Sequence, residues 1–345
     1  VTWDHRKFGT ASDPLRQSAL NAIASEMGCA RRYQFDRIAE ATGTKPPESA
    51  NWRRCLGTAI HAVIDRALTK TWPQMVAFLG PDGNRPDGAP EGWAPKSLRD
   101  RVDEVLREEL AKAAGEGRRV EWYEEDPEGE IAAGVAMVLF AIRTTVERAE
   151  EIVGSEVPFA VEVDGMHIVG TLDLVYRRRG DRALGLADWK SGERKLPQVV
   201  LDFGYQPSTY ALALERGALW PGTERETRLN EWPSEIHIVH LRDGVPYVRK
   251  PKTPGKSVGD LRGPGWYPSQ RTAHDVARLR VSLRTVVGTV RMGRFVEAIG
   301  QQCERCQHKK ACLSDGYGPS KDEQRAIAAA TRGIEFDDGL DGEAA

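Results

Sequence analysis

Apolar positions along the chain change their period twice. Ser12 to Glu40 predicts a short helix near Asp13, a turn at Gly28-Cys29 and a second helix through Phe35 and Ile38 that Pro46-Pro47 ends. From Gly57, the residues Ile60, Val63, Ile64, Ala67 and Leu68 recur at helical spacing. They predict one apolar face, with His61 at its border and Asp65 one turn on. Residues 80–96 are rich in Pro and Gly and predict a loop or an insertion, with a charged helix following near 97–114. Residues 130–152 predict a helix with one apolar face. Its apolar run, Ile131 to Ile142, is short of the roughly 20 residues a membrane-spanning helix needs.

From Glu156 the period drops to two. Three β-type runs follow, separated by turn candidates at Asp164-Gly165 and Arg179-Gly180-Asp181, which predicts a strand meander. Residues 201–217 then predict a helix carrying Gln206 and Tyr210 four positions apart, and 235–241 and 245–250 predict two further strands. Beyond a Pro/Gly-rich stretch at 251–268, a long helix from Gln270 to Ala298 carries Arg271, Arg278, Arg280, Arg284, Arg291 and Arg294. The last dozen residues are acidic and Gly-rich, as in a disordered tail. The order of elements predicts an α/β fold.

Composition narrows the function classes. Lys and Arg number 49 against 51 Asp and Glu, a net charge of −2, so a polyanion would be met by local basic patches and not by the global field. Histone-like packing of nucleic acid is excluded. The candidate basic groups are Arg31-Arg32, Arg53-Arg54, Arg177 to Arg179, His308-Lys309-Lys310 and the arginine-bearing helix. Hydrophobic residues at 40% and charged residues at 29% fit a folded protein. The opening residues Val1 to His5 lack the basic-then-apolar pattern of a secretory signal, so the expectation is a cytoplasmic protein with no membrane partner. Neither a Walker-type phosphate loop nor an internal repeat is present in the sequence.

Chemistry concentrates at the meander. Asp173 stands in the second run, and Asp188-Trp189-Lys190 ends the third, so neighbouring strands bring two carboxylates and an ammonium to one edge. Hard divalent ions such as Mg²⁺ or Mn²⁺ take oxygen ligands, and phosphodiester hydrolysis uses such an ion to activate water and stabilise charge on phosphate. Lys190 can orient the attacking water or stabilise the transition state. Glu156 is a third candidate acid and His61 a candidate nitrogen ligand. Each short pattern is common by chance; the ordered set carries the reading.

The five cysteines form a second constellation. Cys303 and Cys306 form C-x₂-C, Cys312 follows after five residues, and Cys29 and Cys55 lie far upstream. A tetrahedral soft site needs a fourth thiolate, from Cys29 or Cys55, and spacing alone leaves Zn²⁺ and an iron–sulfur cluster open.

The ordered set His61, Glu156, Asp173, Asp188, Lys190, Gln206 and Tyr210 resembles the PD-(D/E)XK nuclease superfamily in its RecB-like branch, with Leu172-Asp173 in place of the usual Pro-Asp. The resemblance implies a restriction-endonuclease-like core with a mixed central sheet and flanking helices. It implies a catalytic metal, Mg²⁺ or Mn²⁺, held by His61, Asp173, Asp188 and the backbone carbonyl of Trp189, with Lys190 assisting hydrolysis and Glu156 as an additional acid. Gln206 and Tyr210 match the family's Q-x-x-x-Y motif, implied to position the lysine region and the DNA strand. The cysteine spacing is similar to that of CRISPR-associated RecB-like exonucleases (the Cas-four family) and AddB-type nucleases. That likeness implies a [4Fe-4S] cluster on Cys29, Cys303, Cys306 and Cys312 joining the N- and C-terminal segments, with Cys55 to spare.

The resulting division is 1–56, a helical segment contributing one cluster cysteine; 57–250, a nuclease core with an insertion at about 76–130; 251–320, a helical and iron–sulfur segment; and 321–345, a flexible tail. The expected activity is a metal-dependent exonuclease on single-stranded DNA with 5′-to-3′ polarity, in repair, recombination or end processing in a bacterium or bacteriophage. An endonuclease, a double-strand-end exonuclease and a non-catalytic DNA-binding iron–sulfur module are the alternatives. Beyond DNA, a second copy of the chain or a recombination or CRISPR-adaptation protein is the candidate partner.

Overall fold

The computed structural model describes residues 3–24, 29–44, 50–70, 98–122, 126–193, 197–245, 257, 263–295 and the single residues 303, 306, 308 and 312. Its regular elements are β1 (Leu15–Arg16), α1 (Gln17–Ala24), α2 (Ala30–Thr42), α3 (Trp52–Lys70), α4 (Leu98–Ala114), α5 (Pro127–Arg148), β2 (Ala149–Val163), β3 (Met166–Arg178) and β4 (Leu184–Lys190). They continue with α6 (Gln198–Phe203), α7 (Tyr205–Arg216), β5 (Ala218–Leu219), β6 (Glu235–His240), β7 (Trp266–Pro268) and α8 (Ala273–Arg291).

One mixed sheet runs in the order β5-β2-β3-β4-β6-β7, and β1 pairs with β3 in parallel. β2, β3 and β4 form the antiparallel meander, and β6 lies parallel to β4. The β2–β3 turn has positive φ at both Asp164 (53°) and Gly165 (73°), the pairing a two-residue hairpin turn requires. Arg280 and Arg284 of α8 hold the Asp164 carboxylate over that turn. β2 begins at Ala149, seven residues earlier than its β-type pattern predicts. The reason lies across the ladder: β3 continues to Arg178, and residues 149–155 satisfy the hydrogen bonds of its last half.

The two faces of the sheet carry separate cores. Helices α3, α4 and α5 pack on one face over Leu174, Tyr176, Ala187, Trp189 and Val239. Helices α1, α7 and α8 cover the other, over Val157, Phe159, Val175, Leu186 and Ile236. α5 is long and apolar enough to cross a membrane by length and composition, but half of its apolar window is buried in the first of these cores. The predicted helix 270–298 is realised over Ala273–Arg291, started by a reciprocal Thr272–Asp275 capping box. The predicted strand at 245–250 falls, apart from Val245, outside the described residues, as do residues 76–97 of the expected insertion, Lys309-Lys310 and the acidic tail.

The expectation of a cysteine-ligated iron–sulfur domain is overturned. Among the described residues, the His, Cys, Asp and Glu donors that converge in a group of three or more are His61, Glu156 and Asp173, and none of Cys29, Cys303, Cys306 and Cys312 joins them. Cys29 caps α2 instead, its sulfur accepting from Arg32 N at 3.5 Å. Cys55 is fully buried in the α3–α4 core and donates to the Ala113 carbonyl at 3.5 Å. The chain ends do meet, through an imidazole. His308 stacks on Phe35 with ring centroids 5.1 Å apart, and its Nε2 lies 2.8 Å from Asp36 Oδ1.

Candidate metal centre

Each residue of the site is delivered by a regular element. The hairpin register, Ser155 opposite Leu174 and Val157 opposite Leu172, sets Glu156 across from Asp173. Directly opposed carboxylates on neighbouring strands repel. Glu156 also has a left-handed backbone (φ 48°), a conformation that costs an ordinary residue free energy and clusters at functional sites. α3 lays His61 over this pair: Nδ1 is 3.0 Å from Glu156 Oε1 and 3.7 Å from Asp173 Oδ2. The three donor atoms lie within 4.8 Å of one another.

Protonation follows from this crowding. Burial, with the Asp188 charge adding to it, pushes the Asp173 carboxyl up to about 7. Burial opposes a charge on His61, but its hydrogen bond to the Glu156 carboxylate and the Asp173 charge outweigh it, and the imidazole is raised. The metal-free cluster therefore retains protons that a cation would displace. One imidazole and two carboxylates in a partly buried recess form a donor set that suits a hard divalent ion, whose charge turns the cross-strand repulsion into attraction. The residues present fit Mg²⁺ or Mn²⁺.

A second polar group adjoins the first. Asp173 Oδ2 accepts from the Trp189 backbone N–H at 2.8 Å, tying it to the middle of Asp188-Trp189-Lys190. Asp188 is 1% exposed and meets Lys190 Nζ at 2.5 Å. Lys190 donates to Gln206 Oε1 (3.3 Å), Gln206 Nε2 donates to the Tyr210 hydroxyl (2.6 Å), and that hydroxyl reaches Asp188 Oδ1 at 3.4 Å. The four side chains close a ring. Burial opposes the Lys190 charge, yet the Asp188 and Asp173 carboxylates prevail and raise its affinity for the proton. Burial and the same two acids hold the Tyr210 phenol well above its ordinary range, so it remains a donor.

All seven residues singled out in the sequence thus gather at one end of the sheet. Glu156, expected as an accessory acid, sits inside the converging donor set, while Asp188, expected as a ligand, is engaged by Lys190 and Tyr210. The Trp189 side chain points away into the core, 5.8 Å edge-to-face from Trp266. The basic groups fare differently: Arg177 pairs with Glu231, Arg178 with Glu235, Arg280 and Arg284 with Asp164, and Arg291 donates to the Phe8 carbonyl. Arg271 is buried and donates to the Leu201 carbonyl. These guanidiniums dock elements onto one another. Sequence patterning did not reveal a cavity of about 610 Å³ that opens beside Glu156, walled in part by Asp65, Trp220 and Arg225. No periodicity links those residues; the packing of α3 on β2 and the β2–β5 pairing bring them together.

A mixed α/β sheet with an acid pair, a helix histidine and a neighbouring lysine gathered together defines a nuclease fold with a candidate catalytic metal centre. A model of the PD-(D/E)XK nuclease superfamily matches residues 17–313, and the chain belongs to that superfamily. No curated protein matches the chain. The match stops at the superfamily. The narrower likeness to the Cas-four and AddB types is overturned along with its [4Fe-4S] cofactor, because the cysteines that carried it do not converge as ligands among the described residues. A bacteriophage origin loses its support with it.

Proposed function

We propose that the chain is a Mg²⁺- or Mn²⁺-dependent deoxyribonuclease of the cytoplasm that shortens single-stranded DNA from an end, with 5′-to-3′ polarity, during repair, recombination or end processing. The observation that carries the hydrolytic reading is the donor set His61, Glu156 and Asp173 standing one hydrogen bond from the Asp188-Trp189-Lys190 run. Those three residues would hold the cation, with Asp188 as the further acid on the next strand. When bound, the cation supplies Lewis-acid stabilisation of charge on the scissile phosphate. Lys190 neutralises charge developing on the phosphate and orients the attacking water. Asp188 and Gln206 hold the ammonium in place, and Tyr210 braces both. End preference and polarity are taken from the resemblance to RecB-like nucleases, since the metal centre by itself specifies phosphodiester cleavage alone.

The test is an incubation of end-labelled linear and circular DNA, single- and double-stranded, with Mn²⁺ or Mg²⁺. Linear single strands are expected to shorten from the 5′ end while circles stay intact. Cut circles would replace the exonuclease reading with an endonuclease one. Inactivity on every substrate, with DNA binding retained, would leave a binding module and end the enzymatic reading.

A further inference from the structure

The cavity beside Glu156 shares that carboxylate with the metal centre, and the rest of its walls are unsuited to a second phosphate. Two carboxylates, Asp65 and Glu156, face it, and Arg225 is the one cationic residue among its described wall residues. Burial raises the Asp65 carboxyl, which favours a neutral, hydrogen-bonding neighbour over an anion. The opposite wall is aromatic. Trp220 is half-buried, with the Arg225 guanidinium 4.4 Å from its ring centroid.

That indole is held in a fixed position. The Trp220 backbone is left-handed (φ 50°), an outlier for so bulky a residue, and its N–H donates to the Pro158 carbonyl at 2.8 Å. The loop that follows is closed by paired hydrogen bonds between Leu219 and Thr227. β2 leaves room for the ring at Gly154, where an added Cβ would come within 2.8 Å of the indole. Pro158, the anchor, is two residues from Glu156, about 7 Å along a strand. A sugar and base attached to a phosphate at the metal centre can span that distance.

We propose that this cavity receives the nucleobase and sugar of the DNA nucleotide whose phosphate lies at the metal centre, with Trp220 as the stacking platform. The proposal deepens the nuclease reading and takes the identity of its ligand from it. An indole with a guanidinium over it accepts the π-face of any base, so the subsite grips without reading sequence. The Asp65 carboxyl accepts base or sugar donors and disfavours a misplaced phosphate.

The test uses the full chain and a short single-stranded oligonucleotide, with binding followed in Ca²⁺ and hydrolysis in Mn²⁺. Trp220→Ala is expected to weaken binding roughly tenfold or more, the loss of one base stack. KM should rise in parallel with little change in kcat, whereas Trp220→Phe keeps most of the affinity. Scanning an abasic nucleotide along the oligonucleotide against the wild-type protein should find one position, next to the cleaved bond, at which binding falls roughly tenfold or more. This scan needs no stable variant. Equal binding and KM for wild type and both folded Trp220 variants would overturn the subsite, as would an abasic scan with no such position. Failure of the nuclease reading looks different: no product forms in Mn²⁺ while Trp220-dependent binding persists.

Discussion

The two helical layers flanking the sheet supply opposite halves of the site, and they differ in how well each half is satisfied. α3, on one face, brings His61 to an acid pair that repels itself and holds extra protons. α7, on the other, brings Gln206 and Tyr210 to an ammonium–carboxylate pair whose hydrogen bonds close on themselves. The α3 half is incomplete without a cation. The α7 half is complete as folded, which lets the chain hold Lys190 ready before any ion arrives. Assembly of the sheet and loading of the metal are thereby separated.

Breaking the α3 half should cost most. Asp173→Asn is expected to abolish cleavage and to weaken Mn²⁺ binding by more than about a hundredfold, as read by calorimetry and product formation. Normal Mn²⁺ affinity in that variant would remove Asp173 from the donor set. Lys190→Ala should lower kcat roughly 10²–10³-fold with Mn²⁺ affinity retained. It also leaves the buried Asp188 carboxylate without its partner, so thermal unfolding should fall by about 1–3 kcal/mol. An unchanged unfolding temperature would mean that Asp188 finds another partner.

Stability against pH separates the halves next. Asp173 is raised from 3.8 to about 7, so between those values the folded chain holds a proton that the unfolded chain has released. Metal-free stability from this group falls as pH rises from about 4 to 7. The raised His61 acts in the same direction, its contribution present below 6.5 and lost as pH climbs through its folded value. Mn²⁺ requires both groups deprotonated, so its stabilising shift in unfolding temperature should grow with pH over this range. Asp173→Asn should flatten that growth, and a shift independent of pH would contradict the protonated cluster. The smallest effects belong to the α7 side chains that brace Lys190: about tenfold in kcat for Gln206→Ala, and less for Tyr210→Phe, with Mn²⁺ affinity unchanged in both. Loss of Mn²⁺ affinity in either would mean that the halves are not separate.

Much of this was legible because it rides on periodicity. His61 lies on a helix of clear period, Gln206 and Tyr210 are one turn apart, and the Asp164-Gly165 turn already implied a hairpin, whose register then sets Glu156 across from Asp173. The β2 boundary was hidden because residues 149–155 owe their strand to β3 and not to their own pattern. The arginines of residues 270–298 read as a phosphate track, since a sequence cannot say that Asp164 and the Phe8 and Leu201 carbonyls already hold several of them. The cysteines misled for a related reason. Their spacing is compatible with ligation, but a sulfur that caps a helix looks the same in one dimension as one that binds iron, and the closure between chain ends fell to His308 and Asp36.

The parallel pairing of Leu15 with Ile168 bears on how the molecule comes into being. Leu15 is fully buried, yet its partner strand is made about 150 residues later, so β1 has no place to lie until that stretch has been synthesised. The α3–α5 layer and the meander are contiguous and can form first, whereas the opposite layer draws on both ends of the chain. Contacts so distant along the chain are slow to close. The His61 half of the centre should therefore mature before the layer that braces Lys190 is complete.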